Sequence, residues 1–160
     1  MEEADVVFAH LQGLMDQITE MEVLGTRLDA ARAAQAVMEA DAHRVGQVNQ
    51  EAQIKSYVDG YMAEREEALA KGDAEAERAA REAALQCGNM LAIRKGARED
   101  AERKLAAALE AGGFASVDAA REAVMPAGEL EKETERLRAF QADYAQTLQR
   151  ARELEPDSEA

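Results

Sequence analysis

Seven positions near the start of the chain limit its possible folds more than any other feature. Val7, Leu11, Leu14, Ile18, Met21, Gly25 and Leu28 follow one another at alternating steps of four and three. That period keeps an apolar row on one narrow side of an α-helix and marks a seam facing a single partner helix. A broad face over a globular core would carry more apolar positions per turn. Gly25 takes one place in the row, which weakens the seam locally and lets a partner approach closely.

The seam continues in altered registers. Met38, Val45 and Ala52 lie seven apart, with Val48 between them. Ile54, Val58, Tyr61, Arg65 and Ala68 or Leu69 follow in a shifted frame, as at a coiled-coil stutter. Lys71-Gly72-Asp73 is the first strong punctuation: a cation in a last turn, a glycine just past it and an N-capping aspartate. It predicts a helix–helix hairpin rather than a straight continuation. The first helix would then hold about 65 residues and span roughly 100 Å, a length that needs a partner for stability.

A second helix is expected to about Ala111, with a weaker stripe of Leu85, Leu91, Ile93, Ala97, Ala101, Leu105 and Leu109. Gly112-Gly113 ends it, and Phe114 is expected to pack back on Leu105 or Leu109. Ser116 caps a short helix, Val117 to Met125, stopped by Pro126. In the last helix Leu130, Leu137, Tyr144 and Ala151 form one heptad row. Phe140, Thr147 and Leu154 form the other, and Leu148 widens the stripe. The expected organisation is a long heptad helix over 3–71, a second helix over 73–111 and a break with a short helix over 112–127. A heptad helix over 128–155 and a tail over 156–160 complete it. The fold class is all-α, with long antiparallel coiled-coil helices.

Composition agrees. The chain has 160 residues, no tryptophan and only three phenylalanines and three tyrosines, so large side chains for a thick core are scarce. Both prolines lie beyond residue 125. The net charge of −14 opposes binding to phosphate backbones or anionic lipid. The basic group Arg94, Lys95, Arg98, Arg103 and Lys104 is diluted by Glu99, Asp100 and Glu102 and reads as a solvated helix face. A single cysteine excludes an intrachain disulfide and fits a reducing cytoplasm. The acidic start MEEADVVFAHLQG lacks the basic region of a secretory signal. No apolar run reaches membrane-spanning length. A cytoplasmic protein is expected.

Candidate chemistry is sparse. No phosphate-cradling G-x-x-x-x-G-K-[ST] and no G-x-G-x-x-G occurs. His10 and His43 have no nearby cysteine and read as helix-surface histidines rather than metal ligands. Cys87 lacks a CxxC partner or a local histidine base and reads as a small apolar side chain. Glu64 with Glu67, and Glu131 with Glu135, are the carboxylate pairs that an acidic helix makes inevitable; a two-helix rod offers no dry cleft to split their pKa values. Ser56, Ser116 and Ser158 have no triad context. Phe140 and Tyr144 suggest base stacking, but both fall on the heptad seam, where core packing explains them. No catalytic, cofactor-binding or metal residue is therefore assigned, no cofactor is expected, and the chain reads as non-enzymatic.

Gly113-Phe114-Ala115-Ser116 precedes a short Asp/Glu/Ala-rich helix ending at Met125. Glu129-Leu130 then opens a heptad helix that carries Tyr144, and Leu154 and Pro156-Asp157 follow. This order resembles the SbcC exonuclease subunit family over roughly residues 105–157. These are long SMC-like ATPases whose coiled-coil arm carries a similar interruption. The resemblance implies an arm segment of an ATP-dependent DNA double-strand-break processing machine, working with an SbcD-like nuclease subunit. In that family ATP is handled by head halves, which this sequence does not contain, and the arm tip carries a CPxC zinc hook. Cys87 stands in QCGN instead, so no family site residue carries over. The other expectation is a stand-alone cytoplasmic helical adaptor or scaffold, homodimeric through Val7 to Leu28. In either case the partner is a coiled-coil strand, with no direct nucleic-acid binding by this chain and no membrane.

Overall fold

The computed structural model describes residues 2–155; the expected tail, with Ser158 and Pro156-Asp157, lies outside them. The described residues form five helices and no strand: α1 Glu3–Asp16, α2 Ile18–Lys71, α3 Ala74–Gly112, α4 Val117–Ala123 and α5 Ala127–Leu154. The fold is all-α and its long helices pair antiparallel. Two compact units divide it, one built from residues up to Ala34 and from Glu122 onward, the other from Gln35 to Arg121. No described helix is long and apolar enough to cross a membrane.

The helix expected over 3–71 is interrupted at Gln17. Its N–H bonds Leu14 O at 3.0 Å, three residues back, which leaves Gly13 O without the usual partner four residues on. The Gln17 side-chain amide donates to Gly13 O at 3.3 Å and restores the balance. A side chain has replaced one rung of the helical ladder, a recognised source of breaks. Glutamine is a good helix former, so the sequence signals no break there.

In the first unit, α1 and the start of α2 run antiparallel to α5. Arg150 donates to Glu3 at 2.5 Å, His10 pairs with Asp143 at 3.0 Å, and Arg136 donates to Glu20 at 2.9 Å. Partner numbers fall on α5 as they rise on α1 and α2. Met21, Leu24 and Leu28 are buried, with Met125, Leu130, Leu137 and Phe140 packed against them. Burying such side chains stabilises by about 1.5–3 kcal/mol each. At Gly25 a Cβ would sit 3.6 Å from Leu137 Cδ2, an ordinary contact, so glycine is not demanded by a close approach. The neighbouring Leu24 fills the seam instead.

In the second unit the rest of α2 runs antiparallel to α3. Arg65 pairs with Glu77 at 3.0 Å, Arg94 donates to Gln50 at 2.8 Å, and Arg98 pairs with Glu51. The reversal is the expected hairpin. Gly72 has φ 71°, its N–H bonds Leu69 O, and the Asp73 N–H bonds Ala68 O. This is the Schellman arrangement, which requires the left-handed conformation that glycine adopts without strain. Asp73 then caps α3, accepting from Ala76 N at 3.1 Å.

The residues facing inward here differ from those expected. Val45 is exposed, and the α2 seam instead passes through Asp41, Arg44, Val48 and Glu51 before Ile54, Val58, Tyr61, Arg65 and Ala68. Leu69 points outward. On α3 the inward row is Glu77, Ala80, Ala84, Cys87, Leu91, Arg94, Arg98, Ala101, Leu105 and Ala108, a strict alternation of three and four, flanked by the partly buried Ala83, Gly88, Ala97, Asp100, Leu109 and Gly112. Leu85 and Ile93 were expected in that stripe and lie outside it. Polar members sit in the seam by pairing across it, as Arg65–Glu77 and Arg98–Glu51 do, or along one helix, as Arg44–Asp41 does, a role that an apolar pattern does not reveal.

α3 ends in a second Schellman turn. Gly113, at φ 69°, bonds Glu110 O, and Phe114 N bonds Leu109 O at 3.0 Å. Phe114 is half-buried. The Ser116 hydroxyl oxygen accepts from Ala119 N at 3.1 Å and caps α4. That helix stops at Ala123 rather than Met125, and α5 begins at Ala127. Pro126 occupies its N-cap with φ −54° and supplies no side-chain cap; its carbonyl accepts from Leu130 N at 2.9 Å.

Candidate functional site

The most densely cross-linked surface of the first unit is the α1–α5 pair. The heptad rows of α5 place Leu137, Phe140, Tyr144, Thr147 and Ala151 toward α1 and α2, with Thr147 and Ala151 buried. Phe140 and Tyr144 stack, with ring centroids 6.1 Å apart and planes 28° from parallel. They pack along the seam, and the geometry presents no pair of free ring faces.

Next to them, His10 Nε2 lies 3.0 Å from each carboxylate oxygen of Asp143. Thr147 Oγ1 donates to the same carboxylate at 3.1 Å. The His10 hydrogen bond, helped by Thr147, holds the Asp143 carboxyl below its ordinary pKa, against a smaller opposing effect of burial. Val6, Val7, His10, Gln146, Thr147 and Arg150 line a shallow groove beside this pair. Another runs along Ile18, Met21, Gly25, Leu137 and Phe140. Both are mainly apolar clefts between paired helices. Neither gathers a nucleophile, a base and an orienting group at hydrogen-bond distance.

The structure places the remaining candidates apart. His43 is exposed on α2, and Cys87 sits half-buried in the α3 seam. Glu64 and Glu67 are exposed; Lys71 pairs with Glu67 at 2.8 Å. Glu131 and Glu135 are exposed, and Glu135 pairs with Arg138. Ser56 is exposed, and Ser116 serves as a cap. Among the described residues no three of His, Cys, Asp and Glu are grouped to hold a metal ion. No family model, curated protein or solved structure matches the chain.

The basic group on α3 is largely engaged within the protein. Arg94 donates to Gln50, and Arg98 to Glu51 and Glu102. Lys104 and Arg103 pair with Asp100 at 3.0 and 3.6 Å and keep its carboxyl below its ordinary pKa. Arginines so engaged are poorly placed to neutralise phosphates. The sequence alone did not reveal the His10–Asp143 pairing, since the two residues are 133 positions apart. Their adjacency follows only once α5 is set antiparallel to α1.

Proposed function

We propose that this chain is a non-catalytic coiled-coil segment resembling the arm of an SbcC-like, ATP-dependent DNA-break processing subunit. It acts by spacing and by relaying conformational change, while ATP and nuclease chemistry belong to other domains and to an SbcD-like partner. The observation that carries this reading is the antiparallel pairing of α1 with α5 through Glu3–Arg150 and His10–Asp143. An arm needs an outgoing and a returning strand held side by side in fixed register, and these pairs supply that register. The break between Gly113 and Pro126, placed before the returning strand, supports the same reading. The setting is cytoplasmic.

The test is affinity capture of the protein from its native cells, with the bound proteins identified by mass spectrometry. Peptides of a metallo-nuclease subunit together with those of an ABC-type ATPase head are expected. Capture that yields neither contradicts the reading.

The second reading, a stand-alone helical adaptor or scaffold dimerising through Val7 to Leu28, is the less favoured. The seam from Val7 to Leu28 is covered by α5 of the same chain, so the first unit needs no foreign strand to bury Leu14, Met21, Leu24 and Leu28. A homodimer through that seam would have to displace α5.

A further inference from the structure

We propose that α1 is a hinged flap that opens at Gln17 and uncovers the end of α5, while the Met21–Leu24–Leu28 core stays closed. This uses the α1–α5 pairing and does not rest on the arm reading. The hinge is the broken helical ladder at Gln17. Its N–H bonds Leu14 O, three residues back, and its exposed side chain donates to Gly13 O at 3.3 Å. A turn of this tighter kind inside a long helix is a common hinge element. Gly13, a poor helix former, stands one turn before it. The apolar row keeps its steps through the break at Leu11, Leu14, Ile18 and Met21, so closing returns α1 to the same register.

Burial changes at the same place. Leu14 is the only buried residue of α1. Past the break, Met21, Leu24, Leu28, Ala31 and Ala34 are each 5% exposed or less. On α1, Val7 and Leu11 are only half-buried, and Val6 and Met15 point outward. The pairs that tie α1 to α5, Glu3–Arg150 and His10–Asp143, join side chains that are all 45% exposed or more. Exposed pairs of this kind hold weakly. Elements with few buried apolar contacts are the ones that open locally, and a 14-residue helix is marginal once it leaves its partner.

The flap covers a part of α5 that nothing else in the first unit is seen to seal. Thr147 lines a cleft with Val6, Val7 and His10 of α1. Thr147 and Ala151 are 8% and 3% exposed with the flap closed. Opening bares both, together with the half-buried Tyr144 beside them.

Hydrogen exchange of the intact protein, read by mass spectrometry, tests the proposal. Residues 8–16 are expected to exchange as one block, about a hundredfold faster than residues 21–34, with the step at Gln17. Leu14→Ala loosens the flap and should speed exchange over 8–16 by about tenfold or more, leaving 21–34 unchanged. In a Cys87→Ala background, the thiol of Thr147→Cys should react with a soluble disulfide reagent, and adding Leu14→Ala should speed that reaction by the same factor. Equal protection of 8–16 and 21–34 in the wild type overturns the proposal. So does protection that climbs evenly from residue 3 to residue 34 with no step at Gln17, the mark of ordinary end fraying. A Leu14→Ala effect of equal size in both segments also overturns it, since the two would then open as one unit.

Discussion

His10 and Asp143 meet across the α1–α5 seam, with Nε2 3.0 Å from both carboxylate oxygens. The contact joins residues from opposite ends of the chain and depresses the Asp143 pKa. A carboxyl whose folded pKa lies below its unfolded value of about 3.9 stabilises the fold above that value. The contribution is lost as pH falls through the folded pKa. Asp143→Asn should remove this part of the acid sensitivity. In urea melts at pH values of about 5 and about 3, the wild type should lose more stability than the variant, since ordinary carboxyls titrate in that window.

Leu28 is fully buried within the Met21–Leu24–Leu28 cluster. Leu28→Ala should cost about 2–5 kcal/mol, through lost transfer energy and the cavity left behind. Leu85→Ala, on the outward face of α3, should change the stability of the monomer by less than about 0.5 kcal/mol. Paired denaturation curves at low protein concentration check both values.

Gly72 and Gly60 should respond oppositely to alanine. Gly72 has φ 71° at the hairpin, and an L side chain in that region costs about 1–2 kcal/mol. Gly60 lies inside α2, where a Cβ would meet nothing within the chain. Gly60→Ala should stabilise by up to about 1 kcal/mol, as helix propensity dictates. Asp73→Ala should cost about 1 kcal/mol, the usual worth of an N-cap. Thermal melts of the three variants read out the signs.

The turns were legible because their chemistry is local. Gly72, Asp73, Gly113 and Ser116 act through hydrogen bonds within five residues of themselves, and each appears in its expected role. The α5 rows were legible because their apolar members repeat every seven residues. The α2–α3 seam was legible from Ile54 to Ala68 and at Leu91, Ala97, Ala101, Leu105 and Leu109, but not where Asp41, Arg44, Glu51, Glu77, Arg94 and Arg98 occupy inward positions. Their long stems and polar ends are satisfied across the hairpin, as in Arg65–Glu77, Arg98–Glu51 and Arg94–Gln50, or along α2, as in Arg44–Asp41. A hydrophobic pattern search assigns such positions to the surface and moves Val45, Leu85 and Ile93 inward in their place. The Gln17 break escaped for a different reason. It depends on a side-chain amide replacing a backbone donor, and nothing in the residue's propensity announces that exchange.

The antiparallel placement of α5 on α1 underlies both the core of the first unit and the proposed arm role. A distance between spin labels at Gln12→Cys and Ala142→Cys, in a Cys87→Ala background, tests it most directly. Both native side chains are exposed, on the outer sides of the two helices, at levels within one residue of the His10–Asp143 register. With helix axes about 8–10 Å apart and the label arms reaching outward on both sides, the distance should peak between about 20 and 30 Å. A distribution centred beyond about 40 Å would contradict the account, since residues at one level of two helices in contact cannot lie that far apart.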